Sequence, residues 1–90
     1  MYIRAILWDD ENIEHIRGHG VDVDEVEQVA FGKYIARRER RENRYVLYGQ
    51  TDAGRYLFIV LDHEGHGEYY VVTARDMDHS ERQAYQRMRK

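Results

Sequence analysis

Tyr56-Leu57-Phe58-Ile59-Val60-Leu61 is an unbroken apolar run, and its reading decides the fold. It is too short for a core helix and rich in aromatic and β-branched side chains, which suits a strand. Because it is apolar on both faces, it reads as a central strand. Just before it, Thr51-Asp52-Ala53-Gly54 has the composition of a hairpin turn, and Arg44–Gln50 (RYVLYGQ) supplies the partner strand. Just after it, His63-Glu64-Gly65-His66-Gly67 reads as a second turn, and Glu68–Ala74 (EYYVVTA) as the last strand. On the far side of Arg44, Tyr34-Ile35-Ala36 begins a weak strand that runs into Arg37-Arg38-Glu39-Arg40-Arg41-Glu42, a ragged edge strand or loop. Charges there discourage pairing with other chains.

Helical punctuation brackets this meander. Tyr2–Trp8 is rich in strand formers and stops at Asp9, an N-cap followed by Asp10 and Glu11 in a helical first turn, with Trp8 and Ile13 at the positions of a hydrophobic staple. Gly18-His19-Gly20 ends that short helix. Asp22 and Glu25 have capping-box spacing, Val21 can staple onto Val26, and Val26, Val29 and Ala30 form one apolar face before Gly32. Asp78 and Glu81 open a terminal helix of about a dozen residues in the same way. The expected order is β-α-α-β-β-β(-β)-α. Consecutive hairpins imply an antiparallel sheet of about three to five strands with the helices on one face, an α+β class. No proline, linker or repeat interrupts the chain, so residues 1–90 read as one domain.

Composition limits what that domain can do. The sequence of 90 residues contains no cysteine, which removes disulfides and thiolate metal sites. No apolar run approaches the roughly 20 residues that cross a bilayer, and the N-terminus lacks a signal-peptide pattern, so the cytoplasm is the expected location. The net charge is −3 but unevenly spread: residues 1–30 carry eight acids and two arginines, residues 31–90 nine acids and twelve bases. A basic back half suggests a localised anion-facing surface, although a plain solvated coat reads equally well.

Three segments in register carry a resemblance. They are Trp8-Asp9 followed by Ile16-Arg17-Gly18-His19-Gly20-Val21; Arg44-Tyr45 leading through Gly49-Gln50-Thr51 to Gly54-Arg55-Tyr56-Leu57; and Val72-Thr73-Ala74-Arg75 followed by Glu81-Arg82 and Tyr85. In this order they resemble the BrnT-type toxins, RelE-like ribonucleases of type II toxin–antitoxin pairs. The chain departs from that pattern at Gly18, where the family usually has Lys, and at His15, where Asn is common. A family lysine in the first helix has no clear counterpart, Asn12 and Glu11 standing nearest. The resemblance implies a RelE-like fold, RNA as substrate, an antitoxin protein encoded by an adjacent gene, and DNA contact only through the antitoxin complex.

Metal-independent RNA cleavage needs a base for the 2′-hydroxyl proton, cations for the phosphorane and an acid for the leaving 5′-oxygen. Arg75, at the end of the last strand, is the expected phosphate clamp, or else an ion-pair partner of Glu81. Glu81 and Tyr85 share a helix face; Glu81 is a general base, an orienter of Arg75 or simply the capping acid, and Tyr85 a site hydroxyl or a core-rim ring. His19 is a candidate acid or base, or a structural turn residue. Arg44 and Arg55 open neighbouring strands and could approach one another along the phosphate path, with Arg82 also facing RNA; solvated ends are the plain alternative. The Arg37–Arg44 run reads as a solvated edge or part of the anion-facing surface, and the cluster Arg82, Arg87, Arg89 and Lys90 as a solvated face or one that meets RNA or an acidic partner. His63, Glu64 and His66 lack a rigid presentation, so neither a metal site nor a cofactor is expected. The function is then either a metal-independent ribonuclease toxin or a noncatalytic module of the same fold retained for partner binding. A housekeeping contact with structured RNA fits the acidic total less well.

Overall fold

The computed structural model describes residues 1–41 and 43–89; Glu42 and Lys90 lie outside the described residues. Eight elements follow in order: β1 (Ala5–Leu7), α1 (Asp10–Arg17), α2 (Val23–Ala30), β2 (Tyr34–Arg38), β3 (Arg44–Gln50), β4 (Tyr56–Gly65), β5 (Glu68–Asp76) and α3 (His79–Met88). The strands form one sheet in the order β1-β5-β4-β3-β2, so the Tyr56–Leu61 run is indeed internal. The α+β class and the element order stand.

All three helices start at capping boxes. Asp9, Asp22 and Asp78 are the N-caps, with Asn12, Glu25 and Glu81 reaching back to the cap N–H groups. Gly49 is required where α2 crosses β3, because a Cβ there would lie 2.6 Å from Val29 Cγ1. β4 continues through His63 and Glu64 to Gly65, which shortens the expected turn to Gly65-His66-Gly67; all three have positive φ.

Two expectations change. The sheet is mixed, because β1 pairs parallel with β5, setting Ala5 opposite Glu68 and Leu7 opposite Tyr70. The helices also do not share a face. Leu47, Leu57, Ile59, Leu61 and Val71 point to a core shared with Ile16, Val26 and Val29 of α1 and α2. Val46, Tyr48, Phe58 and Val60 point the other way, to a second core with Met77 and with Tyr85 of α3. Side chains alternate along a strand, so α3 covers the opposite face. The physical reason lies in β4 itself: a strand apolar on both sides needs cover on both.

The register also breaks in β5. Val60 is opposite Thr73 but Leu61 is opposite Val71, leaving Val72 as a bulge. Since β1 covers only Glu68–Tyr70, the outer edge of the rest of β5 has no strand beside it among the described residues. α1 fills that place: Asn12 Nδ2 donates to Leu7 O at 3.0 Å and Val71 O at 3.3 Å.

Candidate active site

Arg75 leaves β5 on the α3 side, opposite Phe58 across the β4–β5 ladder. Its guanidinium carbon lies 3.9 Å from the Phe58 ring centroid, a close cation–π stack. Nη1 and Nη2 donate to the two oxygens of Glu81 at 2.8 and 3.0 Å, and Nη1 also donates to Asp76 O at 3.0 Å. Among the described residues, these bonds use the end edge of the fork and leave Nε–H and one Nη2–H pointing in a common direction. That side edge is shaped for two oxygens of one phosphate. Glu81 raises the pKa of Arg75 further, so the cation is permanent.

Glu81 itself is held from both sides. Arg75 is the main cause of its depressed pKa, which keeps it a carboxylate, and Oε1 also accepts from Asp78 N at 2.9 Å. The expected capping acid and the expected Arg75 partner are thus one residue in two roles. Tyr85, one turn further along α3, is buried and meets Tyr56 edge to face with centroids 6.0 Å apart. Beside this pair, an open cleft of about 590 Å³ runs between β2 and α3, lined by Ile35, Arg37, Tyr48, Phe58, Glu81 and Tyr85 among others. Arg37 sits 5.8 Å from the Tyr48 ring, so the cleft joins aromatic surface to a second cation.

His19 lies at the uncovered edge of β5 rather than beside Tyr85. Its Nδ1 is 3.1 Å from Ala74 O and 3.5 Å from Thr73 Oγ1. His15 meets it edge to face at 5.0 Å and places Nε2 2.9 Å from the same hydroxyl. Thr73 and Arg75 are two apart beyond the bulge, so they leave the same side of β5.

The remaining arginines divide. Arg55 is enclosed by partners: Nε donates to Asp76 Oδ1 at 2.7 Å, and Nη1 to Gly20 O at 2.7 Å and Glu25 Oε1 at 3.0 Å. The Asp76 hydrogen bond leads in raising its pKa far above the ordinary guanidinium value. Arg44 donates to both oxygens of Asp62, at 2.8 and 3.0 Å. The two do not approach one another, because β3 and β4 are antiparallel and their first residues lie at opposite ends of the hairpin. Arg82 stacks its guanidinium 4.3 Å from the Tyr56 ring, and Gln86 donates to the Tyr56 hydroxyl at 2.9 Å. His63 stacks on Tyr69 with centroids 4.6 Å apart, and no group of three or more potential metal ligands converges among the described residues.

Phe58, Tyr48, His15 and Thr73 enter the site without having been named as candidate site residues from sequence. Phe58 and Tyr48 had a signal in their alternation on β4 and β3; the His15–Thr73 contact, 58 residues apart, had none.

A family model described as "Ribonuclease toxin, BrnT, of type II toxin-antitoxin system" matches residues 8–81. The chain belongs to the BrnT family. That match takes in His19, Arg44, Arg55, Arg75 and Glu81 but stops short of Arg82 and Tyr85. Among solved structures, the chain is similar to the crystal structure of the Brucella abortus ribonuclease toxin BrnT, with a TM-score of 0.62 at 19% identity, over 82% of this chain and 96% of that one. At such identity the likeness concerns the fold. A comparison with curated protein sequences returns no match. The BrnT expectation drawn from the three sequence segments therefore holds for family and fold. No helix among the described residues is long and apolar enough to cross a membrane.

Proposed function

We propose that this BrnT-family chain is a growth-inhibiting toxin that cleaves RNA in the cytoplasm without a metal ion, and that an antitoxin encoded beside it neutralises it. One observation carries the reading: the Arg75 fork sits over the Phe58 ring, is fixed along its end edge by Glu81, and keeps its side edge for a phosphate. A preorganised cation of this kind stabilises the charge that develops on a phosphorane without reorganising during the reaction. The 2′-hydroxyl attacks the adjacent phosphorus, the P–O5′ bond breaks, and the products carry a 2′,3′-cyclic phosphate and a 5′-hydroxyl. Glu81 acts as a positioning residue, since both its oxygens already accept hydrogen bonds and it stays ionised. His19 takes the 2′-hydroxyl proton. Tyr85 supports Tyr56 and the cleft floor, and Arg82 and Arg37 supply cations at either side where unpaired bases can lie. Arg55 and Arg44, expected to hold substrate, serve instead to tie strands and turns together. Contact with promoter DNA is left to the antitoxin.

Incubating the purified protein with single-stranded RNA and with DNA of the same sequence, in EDTA, tests this reading. RNA should be cut to 2′,3′-cyclic or 3′-phosphate ends and DNA left intact, because DNA lacks the nucleophile. A requirement for Mg²⁺, or equal cutting of DNA, sinks the mechanism. A folded protein that is inert on RNA yet copurifies with its neighbour's product is instead a noncatalytic partner-binding module, with Gly18 in place of the usual lysine the first suspect.

A further inference from the structure

His15 and His19 are both held to β5, but through different nitrogens. Ala74 O can only accept, so His19 Nδ1 carries the proton of the 3.1 Å contact and Nε2 is left as a lone pair. His15 is anchored through Nε2 to Thr73 Oγ1 at 2.9 Å and presents Nδ1. The rings stand edge to face at 5.0 Å, on the stretch of β5 beyond β1 and beside the strand position of Arg75. Each imidazole is thus held to β5 through one nitrogen, and the other is not engaged by that anchor. We infer that His15 is a second catalytic residue, the general acid that protonates the leaving 5′-oxygen, paired with His19 as the base.

The assignment follows from where each ring sits. His15 lies in the last turn of α1, one turn after Glu11, and its anchor through Nε2 leaves Nδ1 as the nitrogen that can deliver a proton. His19 lies beyond the helix, its Nδ1–H engaged, with the free lone pair that a base needs. The charged and titratable groups near the pair include Glu11 of α1 and Tyr70 of β5, which line a hollow with His15, and Asp9, the N-cap of α1, to which Tyr70 donates at 3.1 Å. Arg75 follows two positions after Thr73 on β5, and Arg55 reaches the His19 turn through Gly20 O. In the reaction the 2′-hydroxyl proton passes to His19 Nε2, O2′ bonds to phosphorus, and the P–O5′ bond breaks. The His15 Nδ1 proton goes to O5′, leaving His15 neutral and His19 protonated, and exchange with water restores both. Neither ring has to release its anchor on β5.

This inference rests on the ribonuclease reading, so its test separates the two. The pH dependence of kcat/KM is measured for the wild type and for His15→Asn on an RNA dinucleotide. It is measured again on a uridine 3′-(4-nitrophenyl phosphate), whose phenolate leaves without a proton. The wild type should give a bell-shaped profile on RNA. His15→Asn should lose the alkaline limb and about 10²-fold in rate on RNA, the lower end for general acid–base catalysis, yet stay within a few-fold of wild type on the aryl ester. A merely structural His15 would slow both substrates alike, and that result, or an unchanged bell, overturns the assignment. His19→Ala should slow both substrates, since the base is needed for either. A wild type inert on both substrates removes the ribonuclease reading itself and the acid role with it. Circular dichroism of each variant, together with the aryl-ester rate, separates misfolding from lost chemistry.

Discussion

Arg55 and Arg75 make an instructive pair. Both adjoin β-strand ends, both form two-point ion pairs with a carboxylate, and both are raised above the ordinary guanidinium value. Around Arg55, however, Asp76, Glu25 and Gly20 O converge from β5, α2 and the turn between the helices, using both Nη1 hydrogens and the side edge. Arg75 meets one carboxylate and one carbonyl, and the aromatic ring beneath it orients the fork without occupying a donor. The two arginines thus differ in which edge of the fork their partners leave open, and on the proposed mechanism that difference separates a tie between elements from a phosphate clamp. In sequence the two look alike.

The largest effect should come from Arg75→Ala. Removing a preorganised transition-state donor costs about 10²–10³ in rate, or roughly 3–4 kcal/mol. The loss of stability should be small, about 1 kcal/mol or less, because its side chain is 39% exposed and its ion pair is screened. Single-turnover cleavage and a urea midpoint, measured on the same preparation, check both halves. If the unfolding midpoint falls steeply while the folded fraction keeps its rate, Arg75 belongs with Arg55 and the contrast is void.

Arg55→Ala should show the reverse pattern. It frees two carboxylates and a turn carbonyl from their shared donor, and charged hydrogen bonds of this kind contribute about 2 kcal/mol between them once exposure is allowed for. For a domain of this size that is a fall in Tm of roughly 8–16 °C. Cleavage per folded molecule should change far less than for Arg75→Ala. A rate loss matching that of Arg75→Ala, with an unchanged Tm, would return Arg55 to the substrate path.

Why the sequence yielded some of this and not the rest is a matter of range. The caps at Asp22 and Asp78 and the hairpin between β3 and β4 depend on residues a few positions apart, and both were legible. The parallel pairing of β1 with β5 is fixed by no turn: Ile6 finds Tyr69 more than half the chain away. The placement of α3 was within reach, since the Tyr56–Leu61 run shows apolar side chains to both faces and one layer of helices cannot cover both. The Arg75–Glu81 pair was visible as a short-range possibility. The enclosure of Arg55 joins residues 21, 30 and 35 positions away, and only the tertiary fold distinguishes it from a solvated strand end. For the same reason the Thr73 anchor of His15 could not be read in advance.

The smallest effect concerns acid, and it sharpens the comparison from the carboxylate side. Asp76 and Glu81 both have depressed pKa values, caused first by their hydrogen bonds from Arg55 and Arg75. A carboxylate whose folded pKa lies below its unfolded value contributes stability that is fully present above the unfolded pKa, near 4. That contribution is lost as pH falls through the folded value, so the protein should weaken as pH drops from about 5 toward 2. The two acids should not contribute equally. The Asp76 side chain is 63% exposed and Glu81 only 18%, so solvent screens the first pair far more than the second. Asp76 also shares its arginine with Glu25, which still occupies Arg55 when Asp76 is neutralised. Glu81→Gln should therefore flatten the acid limb of the stability curve more than Asp76→Asn, each by less than about 1 kcal/mol. Urea midpoints at neutral pH and at pH 3 for the wild type and both variants measure the difference. If Asp76→Asn flattens the curve more, the exposed pair is the stronger one, and openness around Arg75 reflects a weak contact rather than a fork held ready for phosphate.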